Sequence, residues 1–101
     1  MNTQTTRIAQ APNVDVWRAD EGWRLVAELP GARADSVKVT AERGTLTVYA
    51  ESEVHTFKRS FTLPDEVDAD SIVARLERGL LTLTLPRAPT ARSRQIRVES
   101  A

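Results

Sequence analysis

The feature that most constrains the fold of this chain is an alternating stretch that runs from Ala74 to Pro86. Leucines occupy positions 81, 83 and 85, and the threonines between them, at 82 and 84, would face the other way. This period of two is typical of a strand that is buried on one face and solvated on the other. Gly79 lies where the chain must turn, since glycine adopts positive φ without steric cost. Pro86 has no N–H group to donate to a sheet, so the stretch predicts a β-hairpin that ends at this proline.

Shorter alternating segments recur along most of the chain, and they are separated by turn-forming residues such as Gly22, Pro30-Gly31, Gly44 and Pro64. No segment has a helical periodicity of useful length. Short strands with turns at intervals of roughly ten residues are typical of sandwiches. We therefore predict an all-β chain, folded as an immunoglobulin-like antiparallel β-sandwich of seven or eight strands. The strands predicted before Gly79 are residues 14–18, 23–29, 37–41, 45–50, 57–63 and 72–76.

The two ends of the chain differ in composition from its centre. Residues 1–12 are rich in Asn, Thr and Gln, and we expect them to form a flexible N-terminal arm. Residues 13–86 hold the alternating segments and form the predicted domain. Residues 87–101 begin with a basic, proline-containing stretch that is typical of a linker, and they end in a C-terminal tail with the sequence Ile-Arg-Val.

Composition excludes several classes of function. The chain has 101 residues, which indicates one domain, and its 14 basic residues balance its 14 acidic ones. This balance offers no bulk electrostatic case for binding nucleic acid or an anionic membrane. The chain has no cysteine, which excludes disulfides and thiol chemistry, and no apolar run is long enough to cross a bilayer. No secretory signal is visible, so we expect a cytoplasmic protein.

The residues that could support catalysis or metal binding do not form a site. His55 is the only histidine, and it lies in a short polar connection without a second metal-ligating partner. The acidic connection at Asp65, Glu66, Asp68 and Asp70 lacks the spacing and the glycine of a calcium loop. No phosphate-binding P-loop is present. We therefore predict that the chain is not an enzyme and that it has no catalytic residues, no metal and no cofactor.

Several motifs in the same order resemble the small heat-shock proteins, the family of the α-crystallin domain. Ala74, Gly79 and Leu81 match its A-x-x-x-n-G-v-L motif. Residues 57–64 resemble its F-x-R-x-F-x-L-P motif, and residues 67–72 resemble V-D-x-x-x-I. Val14-Asp15-Val16 and Leu29-Pro30-Gly31 look like its entry strand and its Leu-Pro-Gly turn. The resemblance covers residues 13–98, nearly the whole chain.

The chain also departs from the family pattern. Arg78 stands where Asn or Asp is more usual, and Leu80 replaces the common Val. Bacterial and plant members of the family carry a long loop that partners exchange to form a dimer, whereas here only residues 51–56 fill that gap. A plain hairpin is therefore expected at this point. Edge-to-edge pairing through the strand at residues 57–63 is an alternative way to dimerise.

The resemblance implies an ATP-independent holdase, a chaperone that binds partly unfolded proteins and limits their aggregation. Its partners would be unfolding client proteins, further copies of itself and other small heat-shock proteins. Arg59 is a candidate dimer contact, and its ion pairing is expected to order either the strand at residues 57–63 or that contact. The alternative is an adaptor similar to the CS domain, a related sandwich that binds one specific folded chaperone.

The tail has two interpretations. Ile96 and Val98 place branched apolar side chains on one face of an extended segment, which could be the last strand of the domain's own sheet. In the family resemblance, the same segment is an anchor that docks in a groove of a neighbouring subunit by strand addition. The residues that would line this groove, for client segments as well as for tails, are Val37, Val39, Ala41, Ile72, Ala74 and Leu76.

Overall fold

A computed structural model describes residues 8–89 and 96–100 of the chain, and within these residues it contains eight strands and no α-helix. Two short 3₁₀ turns, Ala34–Ser36 and Ala69–Ser71, precede the fourth and seventh strands. The strands are β1 (Ile8–Gln10), β2 (Val14–Ala19), β3 (Gly22–Glu28), β4 (Lys38–Glu42), β5 (Thr45–Glu51), β6 (His55–Thr62), β7 (Val73–Glu77) and β8 (Leu80–Pro86).

The strands form two four-stranded sheets that pack face to face. One sheet has the order β1-β6-β5-β4, and the other has the order β2-β3-β8-β7. All neighbouring strands are antiparallel except β1 and β6, which are parallel. The predicted fold class, an all-β sandwich of seven or eight strands, is therefore confirmed.

The core lies between the inner faces of the two sheets and is built from alternate residues of the central strands. Burying these side chains removes apolar surface from water, which is the main force that holds the sheets together. Phe57 of β6 is completely buried and is the largest side chain in this core. The other buried apolar residues are Leu25, Ala27 and Leu29; Leu46, Val48 and Ala50; and Leu81, Leu83 and Leu85.

The hairpin predicted around Gly79 is present as β7 and β8. Glu77 pairs with Leu80, and the two residues between them, Arg78 and Gly79, have φ angles of 51° and 79°. Two successive residues at positive φ match the right-handed twist of the flanking strands, as in a type I′ turn. Arg78 tolerates this conformation at some steric cost, because only glycine adopts it freely.

The connection at residues 51–56 is a tight hairpin, as expected from its length. Strands β5 and β6 pair in register from Thr45 and Thr62 to Glu51 and Thr56. The turn is closed by two hydrogen bonds, in which Ser52 N–H donates to the His55 carbonyl and His55 N–H donates to Ser52 Oγ, both at 2.9 Å. The connection therefore contains no loop that could be exchanged with a partner.

The structure differs from the expectation of a flexible arm over residues 1–12. Ile8–Gln10 forms β1, which pairs in parallel with the beginning of β6, and Pro12 is fully buried. Residues 1–7 lie outside the described residues. The sequence did not predict β1, because a strand of three residues is too short for an alternating pattern to be recognised. The pairing with β6 also explains why that strand begins at His55, two residues earlier than predicted.

Candidate functional site

Each sheet has two edge strands, and the edges formed by β4 and β7 lie on the same side of the sandwich. β1 and β2 are edge strands of different sheets, and residues 11–13 join them directly, so these edges lie side by side. The opposite edges, β4 and β7, must then border the other side of the sandwich. No described strand pairs with the outer edge of either one. The space between these two edges is called the β4–β7 groove below.

The register of each hairpin shows which residues line the groove. Directly paired residues in an antiparallel sheet point to the same face. On β4, Val39 pairs with Val48 and Ala41 pairs with Leu46, and both partners are buried in the core. The same holds on β7 for Ala74 and Leu76, which pair with Leu83 and Leu81. These four side chains therefore point inward from the two open edges.

The lining of the groove is apolar and only partly covered. Val39 and Leu76 are half-buried against the core, as are Val37 and Ile72, which immediately precede the two strands. Ala41 and Ala74 are exposed although they point inward, because no described strand covers these two edges. The structure thus places all six residues predicted for the groove along two open edges. Their role in binding stays a prediction.

A buried serine that the sequence analysis did not single out holds one wall of the groove in place. Ser36 lies in the 3₁₀ turn before β4, and its hydroxyl donates to the Arg33 carbonyl at 2.7 Å and accepts from Glu51 N–H at 2.9 Å. Serine commonly makes such local bonds at the ends of secondary structure. The turn that leads into β4 is therefore tied to the end of β5.

The C-terminal tail presents its two apolar side chains to solvent. Ile96 is 84% exposed and Val98 is 88% exposed. Residues 96–100 belong to neither sheet, so the interpretation of the tail as a last strand of its own domain is not what the structure shows. These two side chains therefore contribute no buried surface to the core of their own domain.

Arg59 is engaged within the chain in a way that the sequence did not indicate. Its Nη1 donates to the Pro12 carbonyl at 3.1 Å, and its guanidinium lies 5.1 Å from the centre of the Phe61 ring. It forms no ion pair with any residue in the described ranges. In this chain, then, Arg59 connects β6 to the segment between β1 and β2, and its role as a dimer contact stays a prediction.

The histidine and the acidic connection that could have supported catalysis or metal binding make structural contacts instead. The His55 ring lies 5.7 Å from the Phe57 ring. Asp68 caps the second 3₁₀ turn, because its carboxylate accepts from Asp70 N–H at 3.2 Å and from the Ser71 hydroxyl at 2.8 Å. Within residues 8–89 and 96–100, no three His, Cys, Asp or Glu side chains are grouped so that they could hold a metal ion. The same residues include no helix long and apolar enough to cross a membrane.

Comparison with known proteins gives consistent results at the level of family and of fold. A family model described as "Hsp20/alpha crystallin family" matches residues 15–99. A "Probable 15 kDa heat shock protein" of Leptospira interrogans is 34% identical over 88% of this chain and 80% of its own length. The "18 kDa antigen 1" of Mycobacterium avium is 38% identical over 95% of this chain and 74% of its own length.

Solved structures resemble the fold over most of its length. A small heat-shock protein from Xylella fastidiosa, whose description reports a distinct high-order structure, has a TM-score of 0.72 and 28% identity. That similarity covers 88% of this chain and 96% of the other. Heat shock protein 16.0 from Schizosaccharomyces pombe has a TM-score of 0.68 and 29% identity, over 89% of this chain and 99% of its own.

Proposed function

Because this chain belongs to the Hsp20/alpha crystallin family, we propose that it is an ATP-independent holdase that binds partly unfolded proteins in the β4–β7 groove. We further propose that copies of the chain assemble when the tail of one subunit docks in the groove of another. We expect the chain to act in the cytoplasm, on unfolding clients, and to assemble with itself and with other members of the family.

The observation that carries this proposal is the coexistence of an open apolar groove and a free apolar tail in one chain. The groove is lined from both edges by aliphatic side chains, and the tail carries Ile96 and Val98 two residues apart. Residues two apart on an extended segment face the same way, so both can enter one groove. Recognition of this kind is strand addition, in which side-chain pockets provide the specificity.

The energies suit a reversible interaction. Burying Ile96 and Val98 would contribute about 1.5–3 kcal/mol each. Ordering the tail and losing translational freedom cost several kcal/mol, so a single tail binds weakly. Stable assembly then requires several tails that act together. Weak single contacts also let a client segment displace a tail, because both compete for the same apolar surface.

The test is suppression of client aggregation without nucleotide. A heat-labile client is warmed alone and with this chain, and light scattering follows its aggregation. We expect the wild-type chain to suppress scattering, because binding the unfolded state withdraws it from aggregation without refolding it. Ala74→Lys and Ala41→Lys, which place charges in the groove, should weaken the suppression. Thr40→Lys is the matched control, since Thr40 lies on β4 but points to the outer face.

Two outcomes would contradict this proposal. Full suppression by both groove variants would show that clients bind elsewhere on the chain. Absence of suppression by the wild-type chain, together with tight binding to one folded chaperone, would favour the adaptor function instead.

A further inference from the structure

The outer edge of β2 is the longest strand edge that the proposed function does not use. β1 has three residues, and β4 and β7 border the groove, whereas β2 has six residues and no described strand pairs with its outer edge. All six residues pair with β3 in one unbroken register, from Val14 and Ala27 to Ala19 and Gly22. The strand contains no proline, lysine or bulge, which commonly protect an edge from pairing. This edge is therefore open to another strand.

Large apolar side chains are exposed along the same edge. Val16 pairs with the buried Leu25, so it points toward the interior of the sandwich, yet it is 54% exposed because no described strand lies beside it. Trp17, on the outer face of the strand, is 46% exposed. The guanidinium of Arg18 lies 5.9 Å from the centre of the Trp23 ring of its own chain and leaves the edge uncovered. Such an edge is typical of a surface that a partner covers.

The hydrogen bonds at the start of β2 show which of its backbone groups face the open edge. Glu28 N–H donates to the Asn13 carbonyl at 2.9 Å, one residue before β2 begins. In an antiparallel pair, residues that bond to the neighbouring strand alternate with residues whose N–H and C=O groups point away from it. Counting from Asn13, the backbone groups of Val14, Val16 and Arg18 point away from β3. No backbone group of another described segment bonds to these three residues.

We propose that β2 pairs with β2 of a second copy of the chain, antiparallel and centred on Val16, so that two sheets join into one continuous sheet. In this two-fold arrangement Val16 lies opposite its own counterpart, and Val14 lies opposite Arg18 of the second copy. All three outward-facing residues of each copy then bond to the partner strand, with about six backbone hydrogen bonds in all. This inference is independent of tail docking, because the β4–β7 groove lies on the other side of the sandwich.

Charge and hydrogen bonding both select this register over its neighbours. A centre at Asp15 would place two carboxylates directly opposite each other, and a centre at Arg18 would do the same with two guanidinium groups, which destabilises a sheet. A centre at Trp17 would leave Val14 outside the paired stretch, with about four backbone hydrogen bonds in place of about six. Only the centre at Val16 pairs all three outward-facing residues without opposing like charges. Because the strand complements itself in this way, the partner that fits it is a second copy.

Pairing through β2 would leave both β4–β7 grooves accessible. The joined strands lie in the middle of the continuous sheet, and β4 and β7 of each copy lie on the far side from the contact. Each dimer then carries two grooves and two tails. It therefore supplies the simultaneous contacts that stable assembly through weak single tails requires.

Single-cysteine variants test the register, which is possible because the chain has no cysteine of its own. Each is made in the full-length chain with Ile96→Ser and Val98→Ser, so that tail docking does not contribute. Val16→Cys places two thiols opposite each other with their Cα atoms about 5.5 Å apart, a separation that suits a disulfide. Val54→Cys is the matched control for random collision, because Val54 is 56% exposed in the β5–β6 turn. Covalent dimer is measured by intact mass in a glutathione buffer.

We expect Val16→Cys to give at least about tenfold more covalent dimer than Val54→Cys. Trp17→Cys should stay near the control, because the two copies of position 17 lie diagonally across the pair, about 7–8 Å apart, which is too far for a disulfide. More covalent dimer from Trp17→Cys than from Val16→Cys would overturn the register centred on Val16. Equal yields from Val16→Cys and Val54→Cys would overturn pairing through β2.

Val16→Lys tests the same contact without a disulfide. It places two ammonium groups opposite each other in the dimer, and it leaves the bonds to β3 intact because the backbone of Val16 points away from that strand. In the same background of Ile96→Ser and Val98→Ser, we expect light scattering to give the mass of a dimer, and Val16→Lys to lower that mass by about half. Val54→Lys is the matched control and should leave the mass unchanged.

Three results of this second experiment would overturn the inference. A monomeric mass before Val16→Lys is introduced would show that β2 does not pair with itself. A dimeric mass that Val16→Lys leaves intact would show that another surface holds the two copies. An unchanged mass, together with weaker suppression of client aggregation by Val16→Lys, would show that β2 binds clients and not a second copy. None of these results decides whether the tail docks in the groove, because both anchor residues are replaced.

Discussion

The double substitution Ile96→Ser with Val98→Ser should dissociate the assembly without destabilising the domain. Both side chains are more than four-fifths exposed in the isolated chain, and neither belongs to the core or packs against it. Surface substitutions of this kind usually change the free energy of unfolding by less than about 0.5 kcal/mol. The variant should therefore melt like the wild type when both are monomeric.

The effect on docking should be large, because nearly the whole of both side chains is available for burial. At about 1.5–3 kcal/mol for each side chain, the variant loses about 3–6 kcal/mol for each tail in its groove. Since about 1.4 kcal/mol corresponds to a tenfold change in affinity, a single tail should bind roughly 100- to 10,000-fold more weakly. Assembly through several tails multiplies the loss.

The assay is light scattering coupled to size exclusion, over a wide range of chain concentration. The wild-type mass should fall on dilution, and the variant should stay at its smallest mass throughout. Arg97→Ser is the matched control, because Arg97 lies between the two anchor residues and faces the other way. An unchanged mass distribution in the double variant would refute the anchor role of the tail. An equal loss of mass in the control would show that the charge of Arg97 is needed to hold the tail as well as apolar burial.

Three further predictions concern the domain, and urea unfolding measures each. Gly22→Ala should lower the free energy of unfolding by more than about 2 kcal/mol, because the added Cβ would lie 2.1 Å from the Leu85 carbonyl oxygen. Gly44→Ala is the control: its Cβ meets no atom within 4 Å, and it should cost about 1–2 kcal/mol from the positive φ alone. Equal losses of stability in the two variants would contradict this reasoning. Phe57→Ala should cost about 3–5 kcal/mol, since it empties the largest buried site, and a loss below 1 kcal/mol would show that the core closes over the gap. Arg59→Ala should cost about 0.5–1.5 kcal/mol by removing the bond to Pro12. Light scattering on the same variant tests the predicted dimer contact, because a fall in solution mass would support that contact and an unchanged mass would contradict it.

Much of the fold follows from local patterns in the sequence. The alternation at 81, 83 and 85 predicts which face of β8 is buried, and all three leucines lie in the core. Turn chemistry at Gly44 and Gly79 predicts where the hairpins reverse, because these positions require positive φ. The three residues of β1 could not be predicted, since so short a segment becomes a strand only when β6 offers it an edge.

The sequence predicted only part of the candidate site. The residues of the groove came from family resemblance, and the register of two hairpins then showed that four of them point inward. Within the described residues, Arg59 donates to a backbone carbonyl forty-seven positions away in the chain, which the sequence did not predict. A main-chain oxygen has no signature in a sequence, because every residue carries one.

The sequence by itself determined the fold class, the positions of the turns and the absence of a disulfide, because these depend on residue type and on spacing along one strand. The tertiary structure decided which strands become edges, because an edge is defined by the strand that is missing beside it. Only that arrangement places β4 and β7 on one side of the sandwich and makes them the two walls of a single groove. The tail could be recognised as apolar from its sequence, but its exposure depends on two sheets that are complete without it.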